Sequence, residues 1–242
     1  MDKKGTATGT NAMQRQKSLM LEPPAGAASW VEKSLLDERT TAALTGVNAA
    51  FVSLALELHA TRPGLPVLGL AGHLVPALAR ARRALEAGLQ LPYALFDLRF
   101  RDTQFWKAQS AGSCAVQDGT GAPAADPRLV RFTGTAVTLA WHLAQIDGRV
   151  ARLAFGLESD TQALLAALPV GTLGPLARRV APSLAARFCT RDRFWQLLSD
   201  GLSRTADVER VGRIKLLGLQ LQGADAARAQ RLHRRARRSS QA

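Results

Sequence analysis

Residues 159–182 read SDTQALLAALPVGTLGPLARRVAP, and this stretch decides the fold class. Ser159 followed three positions on by Gln162 has the spacing of a capping box, which opens a helix over Ala163-Leu164-Leu165. That helix must stop before Pro169, because the proline ring pushes Leu168 out of the α region. A tight Pro-Val-Gly-Thr turn follows, and a second short helix is predicted over Leu173–Val180, ending by Pro182. The pair is compatible with a helix-turn-helix whose second helix presents Arg178 and Arg179. Spacing alone favours an ordinary αα-hairpin in a helical bundle.

Working outward, the stretch belongs to the second of two similar halves. Leu44-Thr45-Gly46 is answered by Phe132-Thr133-Gly134, and Leu68-Gly69-Leu70 by Phe155-Gly156-Leu157. Arg99-Phe100, Asp102 and Phe105-Trp106 are answered by Arg187-Phe188, Asp192 and Phe194-Trp195. The offset is 88 residues at the start of the series and 89 at its end, which reads as an internal duplication. Phe51, Leu54, Ala55 and Leu58 form one apolar helical stripe; Leu139, Leu143 and Ile146 are expected to do the same in the second half. In the first half, Leu74–Gly88 carries Arg80, Arg82 and Arg83, with Gly88 placed to end a helix. The partly alternating run from Tyr93 to Phe100 predicts a short extended piece leading into a helix that Asp102 caps. Phe105-Trp106 and Phe194-Trp195 are expected as core anchors, because large aromatics bury much area.

The expected organisation is all-α. It comprises a disordered extension (1–29), a first helical unit (30–109), a linker (110–128), a second unit (129–204) and a C-terminal helix with a basic tail (205–242). Ordered structure is expected to begin near Trp30-Val31. The run 110–127 is rich in Gly, Ala, Ser, Asp and Pro, which suits a linker. Val208, Val211, Ile214, Leu217 and Leu221 predict an amphipathic helix, and 224–238 could extend it as a basic helix that orders on nucleic acid.

Charge is the strongest compositional signal. The 242 residues carry 32 Lys+Arg against 19 Asp+Glu, a formal net charge of +13. Residues 201–242 hold ten basic and three acidic side chains, so about half the surplus lies in the last sixth of the chain. Its densest run is Arg228, Arg231, Arg234, Arg235, Arg237 and Arg238, and no acid follows Asp225. Guanidinium groups at that density suit phosphates, since each donates two parallel hydrogen bonds. The tail lacks the Trp/Phe/Leu face of an interfacial helix. No run of about 18 or more apolar residues is present, which argues against a membrane span.

The sequence offers little for catalysis. The four histidines His59, His73, His142 and His233 form no HExxH or closely spaced ligand set. No GxSxG or phosphate-binding glycine loop occurs. Glu57 and His59, two apart, do not face each other on a helix, and His142 is expected at the core or its boundary. Two cysteines, Cys114 and Cys189, exclude a disulfide framework and a four-cysteine zinc site. The expectation is a non-enzymatic, cytoplasmic chain without cofactor or metal, with Cys189 serving packing.

Residues 137–200 resemble the FlhD family, the small helical subunit of a bacterial flagellar master regulator. The likeness rests on the order and spacing of Leu143-Ala144-Gln145, Phe155-Gly156-Leu157, Ala167-Leu168-Pro169 and Arg187-Phe188. It covers about 65 residues of the second unit and, more faintly, residues 44–109. The resemblance implies a DNA-binding transcriptional activator working with an FlhC-like partner, with Asp147 at a position tied to partner or DNA engagement. The family's arginine before its Leu-Gly turn is Ala154 here, and Arg152 lies close by. The inter-subunit cysteine would fall at Leu184, or at Phe96 in the first unit, so that covalent link is absent. The family's zinc belongs to its partner. Two tandem units in one chain imply an internal pseudo-dimer in place of a symmetric homodimer, although a homodimer also fits. The different reading is a helical protein-interaction adaptor in a bacterial regulatory or secretion assembly.

Overall fold

The computed structural model describes residues 36–75, 78–86, 88–112, 126–201 and 208–239. Helix α1 (Glu38–Thr61) starts where Asp37 accepts the Thr40 amide at 2.8 Å. It buries Leu44, Val47, Phe51, Val52, Leu54 and Ala55, the stripe the spacing predicts, with Leu58 at its edge. Buried Asn48 on this helix bonds the Tyr93 carbonyl (2.9 Å) and the Leu95 amide (2.8 Å), fixing the extended piece against α1. Helix α2 (Leu78–Glu86) ends at Gly88 (φ 100°), where Leu89 N–H returns to the Ala84 carbonyl (2.8 Å) and Gly88 N–H to Leu85 (3.1 Å). This is the left-handed cap that glycine permits.

The expected extended piece contains strand β1 (Phe96–Asp97), and Asp102 caps α3 (Thr103–Ala111) by accepting the Phe105 amide at 2.9 Å. Helix α4 (Pro127–Ile146) begins behind Asp126 with proline in its first turn. The linker is thus shorter than 110–128 at both ends, and most of it lies outside the described residues, as do Cys114, 1–29 and Trp30-Val31. Asp147 ends α4 and caps α5 (Gly148–Phe155), which stops at Gly156 (φ 70°).

Helices α6 (Ser159–Ala166) and α7 (Leu173–Val180) fall where Pro169 and Pro182 require, joined through a 3-10 turn at Val170–Thr172. The capping box does not form. Glu158 occupies the cap position with no side-chain bond, Ser159 Oγ accepts from Arg152 (2.8 Å), and the Gln162 amide donates to the Ala144 carbonyl (3.0 Å). Strand β2 (Ala185–Ala186) precedes α8 (Asp192–Gly201), and α9 (Val208–Ser239) closes the described chain. The predicted amphipathic helix and basic segment are one continuous helix of 32 residues.

The all-α expectation holds for the bulk of the described residues. Its one addition is an antiparallel ribbon pairing Phe96 with Ala186 and Asp97 with Ala185. The described residues form a single compact unit around one aromatic core. Phe51 lies at the centre, 5.7 Å between ring centroids from both Phe96 and Phe132 and 6.5 Å from Trp195. Trp106 and Trp195 are fully buried, as expected of anchors, and donate to the carbonyls of Arg99 (3.2 Å) and Arg187 (3.1 Å).

Two expectations about α4 are corrected. Its buried face is Phe132, Thr133, Ala136, Val137, Ala140, Leu143 and Ala144, so Ile146 is exposed and Leu139 only partly covered. Of the expected stripe, Leu143 is buried, Leu139 lies at the edge of the packed face and Ile146 lies off it. His142 is exposed, off that face. Among the described residues α1 is the one helix long and apolar enough to cross a membrane; here it is a core helix packed on α2 and α4.

The last helix of each half packs on the other half. Helix α3 lies on α6 and α7, and α8 lies on α2. Arg179 Nε on α7 donates to the Gln109 carbonyl on α3 (2.9 Å), while Arg80 Nε on α2 donates to the Ser199 carbonyl on α8 (3.4 Å).

Candidate nucleic-acid interface

The predicted site residues fall on three separately packed elements. Arg178 and Arg179 occupy the last turn of α7, which buries Leu173, Leu176, Ala177 and Val180 and leaves both arginines exposed. The Arg179 guanidinium holds α3, so it also has a structural task that its sequence position does not suggest. A cation in the last helical turn also meets the negative end of the helix dipole.

Helix α9 carries the other arginines. Ile214 is buried, Gly218 lies against Tyr93, and Gln222 donates to the Leu153 carbonyl at 2.5 Å, so the first half of the helix is seated. Beyond it, Arg228 and Arg231 are exposed. The helical backbone continues through Arg234, Arg235, Arg237 and Arg238, whose side chains lie outside the described set. At 3.6 residues per turn, positions 228–238 make about three turns carrying six arginines.

Asp147 and Arg152, the expected partner contacts, sit at the two ends of α5. Asp147 is exposed and accepts the amides of Arg149 (2.8 Å) and Val150 (3.1 Å). It is therefore a helix cap as well as a surface carboxylate. Arg152 is tied to Ser159 at the start of α6.

Two clefts lie beside the turns that follow the ribbon. One, of about 670 Å³, is edged by Arg99, Arg101 and Lys107 and equally by Asp102, Glu158 and Asp160. Its charges balance, and Arg99 is already paired with Asp102. The Phe105 amide and the Arg99 guanidinium hold the Asp102 carboxyl below its ordinary value. The other cleft, of about 370 Å³, contains Arg187, which sequence alone marks only within the repeat series and the family resemblance. Arg187 is 6% exposed, and burial pushes its guanidinium down to about 10.

Among the described residues, no group of three or more His, Cys, Asp or Glu side chains is close enough to hold a metal ion. His59 Nδ1 is buried without a hydrogen-bond partner. Cys189 is partly buried against Gly69, whose lack of a side chain leaves room for the sulfur. Comparisons with protein-family models, curated proteins and solved structures returned no match.

Proposed function

We propose that this protein is a DNA-binding transcriptional activator of FlhD type, built from two tandem units and acting in the cytoplasm with an FlhC-like partner. The observation that carries the reading is that the helical backbone of α9 runs on through six arginines from a first half seated on the core. A pre-formed basic helix loses less ordering entropy on a phosphate backbone than a disordered tail does.

The tandem-unit part draws support from matched local geometry. Arg99 and Phe188 both adopt left-handed backbone, with φ of 56° and 57°. Each accepts an amide three residues on, from Asp102 and Arg191, at 2.8 Å. The alignment suggested by the turns is thus Arg99 with Phe188, one residue away from the Arg-Phe match read in sequence. The ribbon pairs equivalent segments antiparallel, and the last helix of each half lies on the other half. These are the relations a two-fold would impose on a homodimer, here within one chain.

The test is fluorescence anisotropy on labelled duplex DNA with random-sequence competitor, comparing the full chain with a chain ending at Ala226. The reading expects binding that survives competitor and is lost on truncation. Tight capture of a protein partner together with weak, sequence-insensitive DNA binding would favour the adaptor.

A further inference from the structure

Three arginines from three elements converge on the smaller cleft: Arg101 from the turn before α3, Arg187 from the turn after β2, and Arg228 from α9. Arg187 reaches its place because Gly156 has no side chain. A Cβ there would collide with Arg187 Nη2 and lie 3.6 Å from Arg101 Nη2, so the two guanidinium groups approach the same point. Arg187 Nη1 donates to the Ala154 carbonyl (3.1 Å), and Arg101 Nη2 to the Gln222 carbonyl (2.8 Å). Arg101 Nη1 is buried and makes no hydrogen bond.

Two like charges brought together away from water are costly unless something neutralises them. Asp97 and Asp225 line the same cleft, but among the described residues neither reaches ion-pair distance of these arginines. Asp97 is turned to the Phe100 amide (3.2 Å). Three cations against two carboxylates leave one positive charge in excess, with an unused donor beside it. An oxyanion with several acceptor oxygens answers both, because planar guanidinium forks match phosphate geometry.

We propose that this cleft binds a small phosphorylated ligand, its phosphoryl oxygens held by Arg101 and Arg187 and covered by Arg228. The volume of about 370 Å³ leaves room beside the phosphoryl group for a sugar-sized body. Since Arg228 belongs to α9 and the other two arginines to the core, the ligand pins the basic helix. The site does not depend on the DNA-binding reading.

The experiment is titration calorimetry of the full chain with ribose 5-phosphate and with inorganic phosphate, at ionic strength matched with sodium chloride. We expect one ribose 5-phosphate per chain and a rise in Tm beyond the salt control. R101Q should weaken binding by about tenfold or more, the loss of one charge-assisted hydrogen bond. R228Q should weaken it in the same direction. R187M risks failing to fold, so R101Q and R228Q are the variants that decide. R193Q, altering an exposed arginine of α8 outside the cleft lining, should bind like the parent. No binding above the salt control, equal affinity in R101Q and parent, or equal loss in R193Q would overturn the proposal. So would an R101Q defect seen with short duplex DNA and not with ribose 5-phosphate.

Discussion

The Tyr93 hydroxyl donates a 2.8 Å hydrogen bond to the Ile214 carbonyl, and its ring fills the space a side chain at Gly218 would need. This relationship seats α9 on the core. In an open helix, Gly→Ala stabilises by about 1 kcal/mol. Here Gly218→Ala should reverse that sign and cost about 1–3 kcal/mol, the usual range for overpacking. Tyr93→Phe should cost about 1 kcal/mol. Thermal unfolding of both variants checks the pair of values; a G218A chain as stable as the parent would refute the seating.

Asn48 is the buried polar bridge between α1 and the extended piece before β1. Asn48→Ala strands the Tyr93 carbonyl and the Leu95 amide together. At about 1–3 kcal/mol for each buried group left unpaired, the loss should reach about 2–4 kcal/mol in denaturant unfolding. Asn48→Asp keeps an acceptor for Leu95 and loses the donor to Tyr93, and it should be no better than alanine at neutral pH.

Asp102 joins the turn after β1 to α3. Asp102→Ala should cost about 1 kcal/mol, and Asp102→Asn much less, because asparagine caps nearly as well. The folded carboxyl titrates below its ordinary value of 3.8. Its contribution is therefore present in full above the unfolded value and is lost as pH falls through the lower, folded one. The gap in stability between parent and D102A should be constant at neutral pH and shrink under acid, as a pH series of denaturant midpoints will show.

Arg178 and Arg179 are adjacent and differ in their tasks. Arg179→Ala removes the bond to the Gln109 carbonyl and should speed amide hydrogen exchange in α3, with a small loss of stability of about 0.5–1 kcal/mol. Arg178→Ala should leave that exchange unchanged and act on DNA affinity alone. Arg80 donates to the Ser199 carbonyl, and Arg80→Ala should loosen α8.

Much of the helical frame is legible in the sequence because its signals are local. Pro169, Pro182 and Gly88 set boundaries through backbone sterics, and Asp102 caps from within one turn. The buried tryptophans follow from size and hydropathy. What escapes is long-range. Ser159 and Gln162 have capping-box spacing, yet Arg152 and the Ala144 carbonyl compete for them across the fold. Ile146 matches an apolar repeat, but the face of α4 that is buried is set by α1, α6 and α7. The crossing of α3 and α8 between halves leaves no trace in spacing. The burial of Arg187 is not legible in sequence, because it depends on Gly156, 31 positions earlier, leaving its place open. The one-residue slip between Arg99 and Phe188 has the same origin: residue identity aligns the arginines, whereas backbone conformation aligns the turns.

The salt dependence of duplex DNA binding tests the DNA-binding role most directly. The full chain should be compared with one in which Arg228, Arg231, Arg234, Arg235, Arg237 and Arg238 are glutamine. Glutamine keeps the helix and removes the charge. If all six arginines neutralise phosphates, the log–log slope of affinity against salt should flatten by about 5 units in the variant. A slope equal to that of the parent, or a parent that does not bind DNA at physiological salt, would contradict that role.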